Sequence, residues 1–247
     1  MRSLIIIVVF VLSIFLCVPF MYAQISFDAE SGLVIGGYND VRIPGAGGTL
    51  FSLSKELQAD PAWFYRLCVF YDFNPRHHLG VLVAPLSITS TGQLDRELVF
   101  NDATFSAETP LEAFYQFNSY RLVYRYDFHR REKLHLGIGF TAKIRDAKIR
   151  IQGAGIESEK SNVGFVPIVH FRLLWKLTER FNLILDGDAL AAPQGRAEDI
   201  LLALTARVSE PLHLRIGYRL LEGGADNDEV YSFALFHYAS VGLFFQF

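Results

Sequence analysis

The chain has 247 residues, of which 51% are hydrophobic, and a formal net charge of −3 with acidic and basic residues interspersed. This mild, mixed charge gives no indication of a nucleic-acid surface or a disordered tail. The two cysteines are Cys17, within an apolar N-terminal run, and Cys68. Without that run a single cysteine is left, which excludes an intramolecular disulfide and a cysteine-based metal site, and we expect no metal or cofactor.

The first 23 residues are typical of a secretory signal peptide. Arg2 precedes an uncharged apolar run that ends at about Phe20, and Ala23 is a small residue at the expected cleavage site. An uncleaved anchor is the alternative, because Met21 is larger than the residue usually found three positions before the cut. We predict a signal peptide over residues 1–23 and one exported domain over residues 24–247. No second stretch is long enough for a membrane helix.

About ten segments of the exported part have the composition or the two-residue alternation of β-strands. Their length is close to that of a tilted transmembrane strand. A further piece, 98–105, is either a hairpin within a loop or two additional strands. The ten segments are 31–42, 62–73, 78–88, 115–128, 134–145, 164–175, 181–189, 199–208, 212–221 and 232–247.

Short and longer connections alternate between these segments. The short ones carry proline, asparagine or charge and are NPRHH, HRREK, KLTER and SEP. The longer ones are 44–61, 89–114 and 146–163, followed by the medium-length 191–198 and 222–231. This alternation is the pattern of outer-membrane barrels, which have brief periplasmic turns and extended external loops.

Within a strand the charges fall on one face. In 62–73, for example, Tyr65 and Leu67 alternate with Arg66, whereas 78–88 is apolar at both parities and its faces stay unassigned. The apolar faces end in aromatic residues on the short-turn side, as expected at a membrane interface. These aromatic residues are Phe73, Phe128, Trp175, Phe181 and Phe247.

The chain ends in VGLFFQF, with Val241, Leu243, Phe245 and Phe247 at alternate positions. This ending resembles the C-terminal assembly signal of bacterial outer-membrane β-barrel proteins, and with the leader and the loops the resemblance covers the whole exported part. It identifies a class and no single member. It implies an all-β, transmembrane, antiparallel up-and-down barrel of about ten strands, with eight to twelve possible. It also implies residence in the bacterial outer membrane, with membrane lipid, the barrel assembly machinery and periplasmic chaperones as partners.

If the apolar positions face lipid, the lumen receives the charged positions, among which bases outnumber acids. A barrel of ten strands has a narrow or filled interior. Two interpretations stay open: a closed network of arginine and aspartate pairs, or an anion-preferring path. The main lumen cluster is predicted to be Asp40, Arg42, Arg66, Arg121, Arg125, Lys143, Arg145, Asp186, Asp188, Arg215 and Arg219. The other residues predicted to face the lumen are Asp72, Asp127, His135, His170, Arg172, Arg207 and His213.

Asp186 and Asp188 are the one candidate acid pair, expected near the outer end of their strand, where such a pair orients a water in omptin-like barrel proteases. That chemistry also needs an inward histidine near the outer rim. His237 has the lipid-facing parity, and the three lumen histidines are expected toward the short-turn end. His237 also differs in parity from Ser240, which argues against a serine-based lipid hydrolase.

We therefore expect no catalytic residues and favour a non-enzymatic barrel, either structural or a narrow anion-preferring channel with a largely filled lumen. A surface protease or lipid hydrolase is one alternative, and a secreted soluble β-barrel binding protein is another. The acidic segment 222–231 has the composition of a calcium loop without the EF-hand spacing, so a solvated turn is favoured over an ion site. The oligomeric state stays open.

Overall fold

The computed structural model describes residues 24–193 and 195–246. Within these ranges the chain is all β, and it forms no helix of the length and apolarity that a membrane crossing requires. The predicted signal peptide and Phe247 lie outside the described residues. The strands of the described residues are β1 (Gln24–Arg42), β2 (Phe51–Ser52), β3 (Gln58–Ala59), β4 (Ala62–Asn74), β5 (His77–Ala84), β6 (Ser87–Gly92), β7 (Leu98–Phe100), β8 (Ala103–Phe105), β9 (Leu111–Arg130), β10 (Leu134–Gly153), β11 (Ile156–Lys176), β12 (Phe181–Ala192), β13 (Gly195–Arg207), β14 (Leu212–Asp226) and β15 (Tyr231–Gln246).

Ten of these strands form a closed antiparallel ring in the order β1, β4, β5, β9, β10, β11, β12, β13, β14 and β15. The last strand pairs with the first, from Ser26 opposite Gln246 to Arg42 opposite Tyr231, which closes the barrel. β6 continues the line of β5 beyond Pro85 and keeps its register along β9. The predicted up-and-down barrel of about ten strands is confirmed.

The outside of the barrel is apolar and the inside carries the charges. Val69, Leu122 and Ile216 are 45%, 49% and 64% exposed on the outer face, whereas Arg66 and Arg121 on the same strands are buried inside. Phe128, Trp175 and Phe181 are exposed at the end of the barrel that carries the short turns, as predicted. An outward apolar face on a closed barrel is the arrangement of a protein that crosses a lipid bilayer with strands.

The two ends of the barrel differ in their connections. One end, the turn end, carries the short connections 75–76, 131–133, 177–180 and 208–211, as predicted. The other end, the loop end, carries the long segments 43–61 and 93–110. The predicted long loop 146–163 is wrong: β10 and β11 continue through it as a hairpin that turns at Ala154 and Gly155, both with positive φ. Positive φ at both central positions is the two-residue turn that matches strand twist.

The two long segments fold into the loop end and form an apolar core there. Phe51, Leu57 and Phe100 are at most 1% exposed, and the rings of Phe51 and Phe100 meet edge to face at 6.3 Å. Leu86 and Ile88 point inward to this core, which explains why 78–88 is apolar at both parities. The piece 98–105 is the hairpin β7–β8 within a loop, the first of the two alternatives.

Hairpin β7–β8 is attached to the extended β10–β11 hairpin by polar contacts outside the membrane-spanning part. Ser158 on β11 donates a hydrogen bond to the carboxylate of Asp102, which lowers the pKa of that carboxyl group. The neighbouring Asn101 Nδ2 donates to the backbone carbonyl of Glu159 at 3.1 Å. The long loops are therefore held to the wall as well as packed into it.

Candidate functional site

The lumen is crossed between its two ends by a set of buried, ion-paired side chains that we call the central ion-pair layer. Each is at most 7% exposed. Three are basic and three acidic, so the layer is formally neutral. Its members are Glu30 on β1, Arg66 on β4, Arg121 on β9, Asp188 on β12, Asp199 on β13 and Arg219 on β14.

Asp199 is the acceptor that joins the three arginines. Arg66 Nη2 donates to its Oδ2 at 3.0 Å, and Arg121 Nη2 donates to the same oxygen. Arg219 Nη1 donates to the other oxygen, Oδ1, at 2.6 Å. One carboxylate thereby connects strands on opposite parts of the ring to β13.

The network continues from Arg219 and Arg121 to the other two acids. Arg219 makes a forked contact with Glu30, with Nε donating to Oε1 at 2.9 Å and Nη2 donating to Oε2 at 2.7 Å. Arg121 Nη1 donates to Asp188 Oδ2. Bidentate arginine–carboxylate pairs of this kind hold the two side chains in one relative orientation and also compensate their charges.

Charges buried as deeply as these must be paired, because an isolated buried ion costs several kcal/mol. Here every acid has an arginine and every arginine has an acid. The space left among these side chains is a void of about 60 Å³. A hydrated ion that crossed the layer would have to separate several ion pairs at once.

Two cavities lie on either side of the central ion-pair layer. The turn-end cavity has a volume of about 350 Å³, and Asp72, His78 and Asp127 contribute to its wall. The loop-end cavity has a volume of about 500 Å³, with Lys143 and Leu190 in its wall. No member of the layer lines the loop-end cavity, and none lines the turn-end cavity, so the layer separates two chambers within the described part of the chain.

The predicted lumen positions of Asp40 and Arg42 are wrong. The register of β1 against β15 shifts by one residue between Gly36 and Tyr38, which is a β-bulge. A one-residue shift moves every later side chain to the other face. Asn39 and Val41 therefore point inward and are at most 2% exposed, whereas Asp40 and Arg42 point outward. Arg42 lies 5.2 Å from the ring centre of Tyr231.

Arg125, Arg215 and Asp186, three members of the predicted lumen cluster, lie inside the barrel on the turn-end side of the layer. Each pairs with a neighbouring charge. Arg125 Nε lies 3.0 Å from Asp127, and Arg215 forks onto Asp28 at 2.6 and 2.8 Å. Asp186 pairs with Arg172 at 3.0 Å. Arg207 also follows the predicted parity, and it contacts Glu210 at the turn end.

Lys143 and Arg145 also face the lumen, but they line the loop-end cavity instead of joining the layer. The Lys143 ammonium lies 4.7 Å from the ring centre of Phe117, and Arg145 Nη2 donates to the amide oxygen of Asn162. Among the described residues neither side chain lies within ion-pair distance of a carboxylate. They are the basic members of the predicted cluster that the lumen acids do not neutralise.

Asp186 and Asp188 do not form an acid pair at the outer rim, so that part of the prediction is wrong. Asp188 lies inside the barrel, where it accepts from Arg121 and, at 2.6 Å, from Thr141. His170, expected toward the turn end, instead contacts Asp188 at 3.1 Å through Nδ1. The carboxylate oxygens are thus occupied by buried partners.

The other histidines lie where parity placed them. His135 and His213 line the turn-end cavity. His237 is on the outer face and bonds the hydroxyl of Tyr218, whereas Ser240 is 3% exposed on the inner face. His237 and Ser240 therefore cannot act on one substrate atom. In the acidic segment 222–231, the Asn227 side chain accepts from the backbone N–H groups of Glu229 and Val230, both at 3.0 Å, as in an ordinary turn.

Two members of the central ion-pair layer, Glu30 and Asp199, were not predicted from the sequence, and neither was Asp28. Glu30 and Asp28 precede the predicted start of the first strand, although they alternate with Phe27 and Ala29 in the pattern of a strand with an apolar outer face. Asp199 is the first residue of the predicted eighth strand. Starting the first strand four residues earlier would have found Asp28 and Glu30, and these two acids together with Asp199 would have reduced the predicted basic excess.

No protein-family model matches the chain, and no curated protein matches it. Among solved structures, the outer membrane protease OmpT from Escherichia coli superposes with a TM-score of 0.60 at 9% identity, covering 91% of this chain and 97% of that one. The chain has the fold of bacterial outer-membrane β-barrels. The transport unit of the autotransporter AIDA-I from Escherichia coli matches at a TM-score of 0.47 and 8% identity, covering 91% and 89%. Ail, the attachment invasion locus protein of Yersinia pestis, matches at 0.41 and 10%, covering 92% and 100%.

Proposed function

We propose that this protein is an integral, non-enzymatic barrel of the bacterial outer membrane whose lumen is closed to ions. The observation that carries the proposal is the central ion-pair layer, in which Asp199 binds three arginines from three strands. Because these ion pairs span the lumen, they connect strands on different sides of the barrel and stabilise its wall. The barrel then acts as a rigid scaffold that presents its loop end on the far side of the membrane.

The outer face supports the membrane location. Val241 and Leu243 are 58% and 48% exposed on the terminal strand, and Phe245 lies opposite Phe27 on β1. Such a surface would aggregate in water, but it suits lipid. Membrane lipid, the barrel assembly machinery and periplasmic chaperones are accordingly the proposed partners.

A closed scaffold is favoured over an anion-preferring channel because of the charge balance in the layer. The channel hypothesis depends on an excess of bases along the path. Glu30, Asp188 and Asp199 match Arg66, Arg121 and Arg219 one for one, so the layer carries no excess of bases. The two unmatched bases, Lys143 and Arg145, lie above the layer, in the loop-end cavity.

A surface enzyme is compatible with the fold but has no support from the named candidates. OmpT is a protease by its own description, and at 9% identity the likeness extends to the fold alone. Asp188 is enclosed by Arg121, Thr141 and His170 beneath the loop-end cavity. Asp188 does not line the loop-end cavity, which is the space that a peptide at the rim would enter.

Two measurements on the intact protein test the proposal. After cell fractionation the protein should stay with the outer membrane through an alkaline wash and leave it only with detergent. Reconstituted in planar bilayers, it should give no steady conductance. Recovery in the soluble fraction would refute the membrane location, and a steady current with anion selectivity would refute the closed lumen.

A further inference from the structure

The wall of the barrel lacks backbone pairing at the loop end, between β11 and β12, and we call this unpaired stretch the opening. Backbone pairing of these strands stops at Val169 opposite Ala189. β11 nevertheless continues outward to Ile156, paired with β10 on its other side, and β12 continues to Ala192, paired with β13. Beyond Val169 the described residues of these two strands are therefore neighbours in the ring without a hydrogen-bonded ladder.

Pro167 accounts for the break. The N–H of Lys176 donates to the carbonyl of Lys133, on the β10 side of β11. N–H groups alternate in direction along an antiparallel strand, so at the odd positions, including 167, this group faces β12. Proline has no N–H to donate. Its partner in the continued register would be Ala191, and the ladder ends before this pair.

The opening leads from the lipid-facing surface into the loop-end cavity. Gly164 and Val166 on one side and Leu190 and Ala192 on the other line that cavity. Outside the opening, Val163 is 70% exposed and Phe165, which also lines the cavity, is 65% exposed. An apolar rim of this kind borders lipid more favourably than water.

The cavity contains two basic side chains that have no carboxylate within ion-pair distance among the described residues. Lys143 is 3% exposed, and its ammonium lies over the ring of Phe117. The Nε of Arg145 is buried and has no hydrogen-bond partner. Both residues lie on β10, opposite Val166 and Gly164 of the strand that borders the opening. A buried cation without a counter-charge in contact, such as Lys143, is costly, and an anionic ligand would satisfy it.

The other charged groups of the cavity are already paired. Arg196 binds Glu222 at 2.6 Å, and Lys148 binds Glu159 at 3.0 Å. Lys160 lies 3.7 Å from Glu229. Lys143 and Arg145 therefore mark one place in the cavity where a negative group would be held.

Most of the remaining wall is apolar, and the cavity offers room for one chain. Ile149, Leu190, Leu221 and Phe236 line the cavity, whose volume of about 500 Å³ is within the usual range for small-molecule sites. A cavity of this size accommodates one long acyl chain.

We propose that the loop-end cavity binds an amphiphile with one acyl chain and an anionic head group, which arrives from the membrane through the opening between β11 and β12. The carboxylate or phosphate contacts Lys143 and Arg145, and the chain lies against Leu190, Leu221 and Phe236. The proposal shares the membrane location of the proposed function, and it does not depend on the closed lumen.

The test measures the binding of radiolabelled palmitate to the purified full-length protein in neutral detergent, with empty micelles subtracted. Saturable binding is expected, and Lys143→Met should weaken it by about tenfold or more, whereas Lys143→Arg should retain it. Lys148→Met is the matched control, because Lys148 lines the same cavity but is already paired with Glu159. Heat-modifiable migration in electrophoresis verifies that each variant is folded.

Two competitors define the head group. Hexadecanol, which has the same chain and no charge, should displace palmitate poorly, and palmitoyl lysophosphatidate should displace it well. Stronger displacement by lysophosphatidate than by unlabelled palmitate would support a phosphate ligand, and the reverse would support a carboxylate ligand. Absence of saturable binding, equal binding to Lys143→Met, or equal displacement by hexadecanol would each overturn the proposal, whatever the bilayer conductance shows.

The route through the wall has its own test. Pro167→Val supplies the missing donor opposite Ala191, and it should slow palmitate association by about fivefold or more, since the ladder must then open. A second variant with cysteines at 167 and 191 should bind slowly when oxidised and fast again after reduction. Unchanged association rates in both variants would overturn lateral access.

Discussion

Asp199 accepts a hydrogen bond from Arg219 at 2.6 Å, although these residues are not opposite each other on their adjacent strands. In the register Asp199 faces Leu221 and Arg219 faces Leu201. The contact is therefore diagonal, which leaves the other edge of the guanidinium free to fork onto Glu30. This offset links β13 to β1 through one side chain and carries the ion pairs across the lumen.

Replacing Asp199 by asparagine should destabilise the barrel strongly. Three guanidinium groups would lose their shared counter-charge while staying buried, which costs about 3–5 kcal/mol of unfolding free energy. Glu210→Gln is the control, because Glu210 is exposed and its contact with Arg207 is worth about 0–1 kcal/mol. Urea titration of both variants in detergent micelles measures the difference, and equal losses would contradict the role of Asp199.

The β-bulge in β1 predicts which residues are accessible from outside the barrel. Cysteine at position 40 should react quickly with a bulky maleimide in detergent-solubilised, folded protein, and cysteine at position 39 should react slowly. The native Cys68 is 7% exposed and gives a low background. Equal labelling of both positions, or faster labelling at 39, would show that the strand keeps its parity past Gly37.

The apolar core at the loop end should hold the long segments closed. Phe100→Ala removes a ring that is 0% exposed and packs against Phe51, at a cost of about 3–5 kcal/mol. Trypsin should then cleave after Arg96 much faster than in the wild type. Ile156→Ala, at the exposed tip of the β10–β11 hairpin, is the control and should leave cleavage unchanged. Wild-type resistance of Phe100→Ala would argue that the segments are held by other contacts.

Deleting Phe247 should impair assembly far more than removing an exposed apolar side chain from a loop. β15 closes the ring against β1, and an unpaired edge within lipid would leave backbone groups without partners. Leu50→Ala is the comparison, since Leu50 is 48% exposed in a loop. Heat-modifiable migration and outer-membrane yield report assembly, and normal values for the deletion would disprove the prediction.

The barrel itself was predictable from the sequence because the two-residue alternation along each strand shows which side chains face lipid and which face the lumen. Leu122 and Arg121 fall on opposite faces by position alone, and lipid on one side makes that alternation sharp. The β-bulge was not predictable, since nothing in the residues around Gly36 and Gly37 specifies which backbone position is doubled. Asp40 and Arg42 were misplaced for this reason.

For the candidate site, the sequence predicted which side chains point into the lumen but not which of them form ion pairs. The alternation in the sequence places Arg66, Arg121 and Arg219 on the lumen face. The carboxylate with which each arginine pairs depends on the tilt and stagger of the strands around the ring. The inward folding of 43–61 and 93–110 was also hidden, because an apolar loop residue has no periodicity to say where it packs. The opening beside Pro167 follows from the register and could be inferred only once the neighbours of β11 were known.

Conductance of the central ion-pair layer variants in planar bilayers tests the closed lumen most directly. Arg121→Ala combined with Asp199→Ala removes one acid and one base and leaves a larger void, so it should pass a steady current that the wild type does not. The matched control removes Arg207 and Glu210, an exposed pair at the turn end, and should stay silent. A wild-type barrel that already conducts as steadily as the Arg121 and Asp199 double variant would contradict closure by the layer.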